Sequence, residues 1–396
     1  MRIVFMLAVF TTLVSGCSWF GGDDDEVRPA ELTRIDAEVQ LHKVWDRKLG
    51  PGANDRASQL IPAIAGSRVF AASASGKIMA MEVDSGRVIW EKHLRDFYPD
   101  EDRATAFGEK SDLITGGVGA GGDLLVVGSF AGEIVAMNQS DGSLVFRART
   151  TSEVLAPPQV DRDIVIAQSI DGKVAAFDAL DGTRRWIYST SVPSLTLRGT
   201  STPILESDVV IVGFSNGRIA VLDRKRGLAG IDRRVAASQG KSDLERLVDI
   251  DGRMVLIPPN LYVASYQGNL ASIDLTSGNE NWNMPASSTV GLGEGFGNIY
   301  LAHVDGKLSA INPQRGSLVW EIDGLKHRQL TTPVTIRSYI AVGDFEGYVH
   351  LIAQSDGRFV GRERVARDAL RAPFVIDGSR LYVQSSDGRL ATYELR

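Results

Sequence analysis

From residue 41 onward, apolar positions come in short runs of four to six, each closed by Gly, Asp, Asn or Ser. The clearest runs open on a glycine and end on a tryptophan: "GKIMAMEVDSGRVIW" (76–90), "GKVAAFDALDGTRRW" (172–186), "GNLASIDLTSGNENW" (268–282) and "GKLSAINPQRGSLVW" (306–320). Weaker copies are "GEIVAMNQSDGSLVF" (132–146), "GRIAVLDRKRGLAGI" (217–231) and "GYVHLIAQSDGRFVG" (347–361), and "GRLATYELR" (388–396) ends the chain. After each glycine both alternating faces are largely apolar, as with Ile78/Ala80 against Met79/Met81, which predicts a strand covered on both sides. A β-rich run and a small or polar residue precede the glycine, the signal of a hairpin whose glycine supplies positive φ.

The opening glycines fall at 76, 132, 172, 217, 268, 306, 347 and 388, which makes eight units. A repeat of roughly 44 residues built from short antiparallel strands suits a radially packed propeller of four-stranded blades. An open solenoid is the competing architecture. Against it, the last copy stops without a Trp strand, while an orphan Trp strand, "KVWDRKL", stands at residues 43–49. Pairing the two completes an eighth blade and removes the exposed edges that invite aggregation. The expected fold is therefore an all-β, eight-bladed propeller over residues 41–396, closed by its terminal strands. The repeating aromatic reads as packing between blades, since Phe146, Ile231 and Gly361 replace Trp in three copies.

The first residues, "MRIVFMLAVFTTLVSGCS", place one Arg before an apolar run too short to span a bilayer and right for a signal peptide. Val14-Ser15-Gly16-Cys17 resembles a bacterial lipobox, which implies cleavage after residue 16 and acylation of Cys17; Ser18 in the next position implies sorting to the outer membrane. At roughly 0.8 kcal/mol per buried methylene, several acyl chains anchor a protein permanently. "GGDDDEVRPAE" then reads as a solvated tether, so residues 17–40 are expected to link the anchor to the propeller in the periplasm. Cys17 is the only cysteine, which excludes an internal disulfide.

Composition narrows the chemistry. A net charge of −6 argues against a nucleic-acid binder, and His42, His93, His303, His327 and His350 are too scattered for a metal site. Gly117 to Gly122 contains GxGxxG, but "DLLVVGSF" follows it as a strand where a dinucleotide site needs a helix; it reads as an inter-strand turn. No G-x-S-x-G nucleophile element is present.

The pattern Gly-x-h-x-Ala-h-Asp…Gly-x-x-x-Trp resembles the pyrroloquinoline-quinone propeller repeat. That makes a quinoprotein dehydrogenase the enzyme hypothesis, but the alcohol-dehydrogenase kind holds its quinone against a vicinal disulfide and a calcium site. A single, acylated Cys rules out the disulfide, and no acidic cluster has calcium-loop spacing. No cofactor, no metal and no catalysis are expected. The lipobox, the eight repeats, "SLTLRG" (194–199), "RLVDIDG" (246–252) and "QLTTPV" (329–334) together resemble the assembly-factor lipoproteins of the outer-membrane β-barrel assembly machinery. The resemblance runs from Cys17 to Arg396. It implies a non-catalytic scaffold that docks on a periplasmic POTRA domain of the channel subunit inserting β-barrel proteins. A second binding role, holding unfolded outer-membrane proteins by strand addition to blade edges, stays open.

The repeat is also a ruler. Pro62, Pro158, Pro203 and Pro333 each stand 14 residues before the next opening glycine, and Arg198 and Asp249 each stand 19 before theirs. The two therefore occupy equivalent rungs of consecutive blades, with Leu195 and Leu197 just upstream and Asp251 just downstream. The expectation is one continuous patch, apolar at one side and charged at the other. The resemblance implies that Leu195, Leu197, Arg198, Asp249 and Asp251 bind the channel subunit. In the alternative, both leucines tuck between blades and Arg198 merely pairs with Asp249. "DGRMVLIPP" lacks the Thr-Thr-Pro expected after the acidic pair, which suggests a displaced backbone there.

Overall fold

A computed structural model describes residues 28–52, 60–98, 113–237, 241–242 and 244–396. Cys17, the expected signal peptide, the first part of the tether and residues 99–112 of the connection between the first two blades lie outside them. The described chain forms eight four-stranded antiparallel sheets. Seven are continuous in sequence, spanning 63–93, 114–149, 159–189, 204–234, 255–286, 292–322, 334–364 (blades 1 to 7). Blade 8 combines strands within 375–395 with the N-terminal strand Leu41–Lys48, which pairs antiparallel with Arg389–Leu395 from Leu41↔Leu395 to Lys48↔Arg389. The first strands of neighbouring blades lie against one another and surround the axis; the fourth strands form the rim.

The third strand of each blade is buried on both faces, as its apolar pattern requires. Lys77–Glu82, Lys173–Asp178 and Arg218–Asp223 each bury their four central residues. Seven of the eight opening glycines have positive φ, from 71° at Gly217 to 93° at Gly76. Blade 5 differs. There Gln267 takes the left-handed place (φ 47°), and Gly268 begins the strand, where a Cβ would lie 2.2 Å from Ser265 Oγ.

The aromatic of the fourth strand is the joint between blades. Trp45, Trp90, Trp186, Trp282 and Trp320 each donate an indole N–H to a carbonyl of the following blade: Val83, Gln139, Arg224, Pro313 and Gln354, at 2.8–3.1 Å. Each ring also covers a turn glycine of that blade. A Cβ on Gly86 would sit 2.5 Å from the Trp45 ring, and Gly227 and Gly316 stand the same way under Trp186 and Trp282. The glycine is needed twice, for its positive φ and for the ring's approach.

Blade 7 has Gly361 where six blades carry an aromatic and blade 4 carries Ile231, and there the chain supplies a substitute. A Cβ on Gly361 would meet the Val39 carbonyl at 2.5 Å, and Glu38 and Val39 donate N–H groups to Val360 O at 2.8 and 3.2 Å. Upstream, Ala30 N–H donates to Lys326 O at 2.9 Å, Arg328 Nη1 to Ala30 O at 3.0 Å and Arg362 Nη1 to Thr33 O at 2.7 Å. So residues 28–40, expected as part of a free tether, form a strap across blade 7, because that blade leaves both the groove and the donors. Beneath it, Arg362 Nε donates to His350 Nδ1 at 3.0 Å, so Nε2–H of a neutral His350 donates to Asp344 at 2.9 Å. Burial holds His350 below the usual histidine range, consistent with that tautomer.

Of the GxGxxG segment only Gly122 stands in the expected turn, with a φ of 56°. The rest lies in the innermost strand Ile114–Gly121 of blade 2, and its glycines admit blade 3: Cβ atoms on Gly119 and Gly121 would meet Pro158 O at 1.9 Å and Val160 O at 2.1 Å.

Trp45→Ala should cost about 3–5 kcal/mol, the usual loss for a buried aromatic, since Trp45 is a buried side chain at the ring closure. Urea unfolding followed by indole fluorescence measures it. A loss under about 1 kcal/mol would show that closure does not rest on this joint.

Candidate functional site: the axial face

In a blade of four antiparallel strands the chain enters and leaves at the same end. Blade-to-blade connections and the hairpins bearing the opening glycines therefore share one face of the disc. "SLTLRG" and "RLVDIDG" are two such connections, joining blade 3 to 4 and blade 4 to 5.

The structure brings them together. Leu197 N–H donates to Asp249 Oδ2 across the two loops. Gly199 faces Asp251, and a Cβ there would sit 2.5 Å from the Asp251 carboxyl carbon, so the last residue of "SLTLRG" is a glycine to leave room for that carboxylate. Leu195 is 42% exposed and stands at the rim of the face, while Leu197 turns partly inward. Arg198 adopts an uncommon positive φ of 20°. Its guanidinium is 45% exposed and forms a fork to both carboxylate oxygens of Glu153 at 2.8 and 2.9 Å.

One part of the expectation changes, and so does the ion pair named in its alternative. Arg198 pairs with Glu153 of the preceding connection, not with Asp249. The acidic end of the patch is interior: Asp249 is 1% exposed and Asp251 is also buried. The reason lies in the next stretch. Gly252 packs so closely on Gly291 that a Cβ would lie 2.2 Å from its nitrogen, and Arg253 exchanges backbone bonds with Val290 and Leu292 at 3.1 and 2.9 Å. Where blades 4 and 7 have Ser-Thr-Pro (201–203) and Thr-Thr-Pro (331–333), blade 5 has Gly252-Arg253-Met254, and this lead-in is drawn onto blade 6 and carries both aspartates inward.

Burial without compensation shapes their chemistry. One carboxylate oxygen of each has no hydrogen-bond partner. Burial pushes Asp249 up to about 6, opposed only by the Leu197 N–H. Asp251 is raised well above the ordinary range by burial first, and then by the Asp249 charge beside it.

Sequence reasoning missed the rest of the site, although the same ruler reaches it. Glu153 stands 19 residues before Gly172, the rung of Arg198 and Asp249. The rung two residues on, 17 before each glycine, holds Leu155, Thr200, Asp251, Thr289, Leu330 and Arg371 in six successive connections. These six line one cavity of about 390 Å³ on the axis, together with Leu197, Arg198 and Gly199. Among the described residues no group of three or more His, Cys, Asp or Glu side chains could hold a metal ion.

An eight-bladed propeller with a clamped loop beside an axial cavity is a scaffold of repeats carrying a recognition face. A family profile described as outer membrane protein assembly factor BamB matches residues 22–109, 100–320 and 304–396. BamB of Pseudomonas aeruginosa is 41% identical over 390 residues, 98% of each chain, and that of Escherichia coli K12 is 30% identical over 377 residues, 95% of each. The crystal structure of BamB from Moraxella catarrhalis superposes with a TM-score of 0.78 at 31% identity, covering 90% of this chain and 100% of that one. The chain belongs to the BamB family of outer-membrane protein assembly factors. A europium-containing methanol dehydrogenase, 12% identical with a TM-score of 0.73 over 89% of this chain and 93% of that one, shares the fold alone.

The buried carboxylates predict a pH signature. A carboxyl whose folded pKa lies above its unfolded value stabilises the fold at low pH, and that contribution is lost as pH rises through the folded pKa. Wild type should therefore lose melting temperature relative to Asp251→Asn as pH is raised from 4 to 8, with the two curves converging at the acid end. Parallel curves across that range would mean Asp251 is solvated.

Proposed function

We propose that this protein is a non-catalytic scaffold of the outer-membrane β-barrel assembly machinery, docking through Leu195, Leu197 and Arg198 on a periplasmic POTRA domain of the channel subunit. Asp249 and Asp251 act from beneath: Asp249 fixes the Leu197 backbone, and Asp251 fills the space under Gly199. The carrying observation is that an exposed leucine projects from a loop clamped on both sides, by Glu153 on the Arg198 side chain and Asp249 on the backbone. A held loop loses little conformational freedom on binding. Full burial of an exposed leucine contributes about 1.5–3 kcal/mol, and a few such anchors can dominate an interface.

Cys17, as the acylated residue, anchors the body to the outer membrane from the periplasmic side in this reading. The strap supports a definite orientation. Ala30 is bound to Lys326, in the connection between blades 6 and 7, so the chain leaves the propeller on the recognition face. The eleven residue-to-residue steps from Cys17 to Arg28 reach at most about 40 Å, which keeps that face near the membrane.

The rim of the disc favours a second role in parallel. The fourth strands are outer edges carrying exposed Ile89, Leu144, Ile187 and Leu318, a surface suited to strand addition by unfolded outer-membrane proteins.

Leu195→Asp combined with Leu197→Asp should leave expression and melting close to wild type and reduce co-purification of the channel subunit by at least a hundredfold, about 2.7 kcal/mol. Normal co-purification of a well-expressed double variant would remove this surface from consideration. Direct binding of unfolded outer-membrane peptides by the same variant would separate the rim role from the docking role.

A further inference from the structure

The axial cavity presents one unusual group. Asp251 lines it, is more than nine-tenths buried, and keeps a carboxylate oxygen without a partner. It is the only acidic side chain in the lining among the described residues. A buried carboxylate left unpaired weakens the fold that holds it, and proteins normally pair such a group or replace it. Leu155, Leu197, Val290 and Leu330 form the aliphatic part of the lining, beside polar Thr200 and Gln329. Two cations share the lining: Arg198, whose charge is met by Glu153, and Arg371, which enters the ring three connections beyond Asp251, so Asp251 is the place in the cavity where a further positive charge would find a partner.

That combination specifies an occupant. A long apolar stem ending in a cation would lay its methylenes on the leucines and bring its head to Asp251, which is how lysine and arginine bury their stems while their charge finds a partner. The volume of about 390 Å³ lies in the range of sites that enclose a small organic group. Leu197 belongs to both the docking loop and the cavity wall, so a partner seated on Leu195 is two residues along the chain from that wall.

We propose that the axial cavity is a receptor for one basic side chain, lysine or arginine, presented by the docked partner, with Asp251 as its counter-ion. The proposal rests on the docking reading above and adds what that reading lacks, a central charged anchor. Asp251 is then a binding residue whose cost to the free protein is offset in the complex. Gly199 keeps the route to it open, since any side chain at that position would cover the carboxylate.

The test uses the full chain in detergent with n-butylguanidinium and n-butylammonium as probes, followed by NMR shifts, and the channel subunit followed by surface-plasmon resonance. The variants are Asp251→Asn and Leu195→Asp, each checked by thermal melting. The expected result is saturable probe binding to wild type and to Leu195→Asp, weakened at least tenfold in Asp251→Asn. Channel-subunit affinity should fall at least tenfold in either variant. If Asp251→Asn binds both probes and the channel subunit like wild type while Leu195→Asp loses the subunit, the cavity proposal fails and the docking surface stands. If neither variant weakens the channel subunit, the docking reading fails and takes the partner-supplied side chain with it, whatever the probes do. Asp251→Ser, with no charge and less bulk, repeats the test should Asp251→Asn melt far below wild type.

Discussion

The indole joint between consecutive blades is the constraint on which the rest depends. In each instance a ring lies on a turn glycine of the next blade and its N–H reaches the carbonyl three residues before that glycine. The contact is apolar over most of its area and directional at one atom, so it sets both the spacing and the rotation of neighbouring sheets. Burial of the ring supplies the larger share of the energy, and the hydrogen bond removes the cost of burying the indole N–H. Repeated around the disc, this joint makes equivalent residues equivalent in space.

The exceptions follow from the same geometry. Phe146 keeps the ring over Gly182, and Ile231 only approaches Gly278. Blade 7 has no side chain at all in that place. Its slot is filled from outside the repeat by the backbone of residues 38 and 39, locked by Arg328, Arg362 and the neutral His350. The N-terminal strap is therefore continuous with the joint system. Its position decides where the chain departs, on the face where the blade connections gather.

On that face the ring turns a one-dimensional repeat into a cavity. Six connections each contribute the residue at one rung, and four of them contribute Leu or Thr. Arg371 and Asp251 are the charged members, and two glycines explain how Asp251 is tolerated and where it points. Gly252 lets the backbone close onto blade 6, and Gly199 leaves space in front of the carboxylate. The exposed and buried halves of the site are thus mechanically one object, joined by the Leu197 N–H and Asp249.

Blade number, circular closure and the identity of the two facing loops were legible from the chain alone, because each follows from a period. Glycine spacing counts the blades, the orphan "KVWDRKL" strand names the seam, and the offset of 19 pairs Arg198 with Asp249. The same offset also reaches Glu153, but only once the ring is known to put neighbouring rungs within ion-pair range. Periodicity says which residues are equivalent and nothing about which way a side chain turns. The inward rotation of Asp249 and Asp251, the Arg198–Glu153 fork and the strap over Gly361 were decided by close packing between segments far apart in sequence. Those contacts depend on where a Cβ is missing opposite another chain segment, and that is a property of the closed ring.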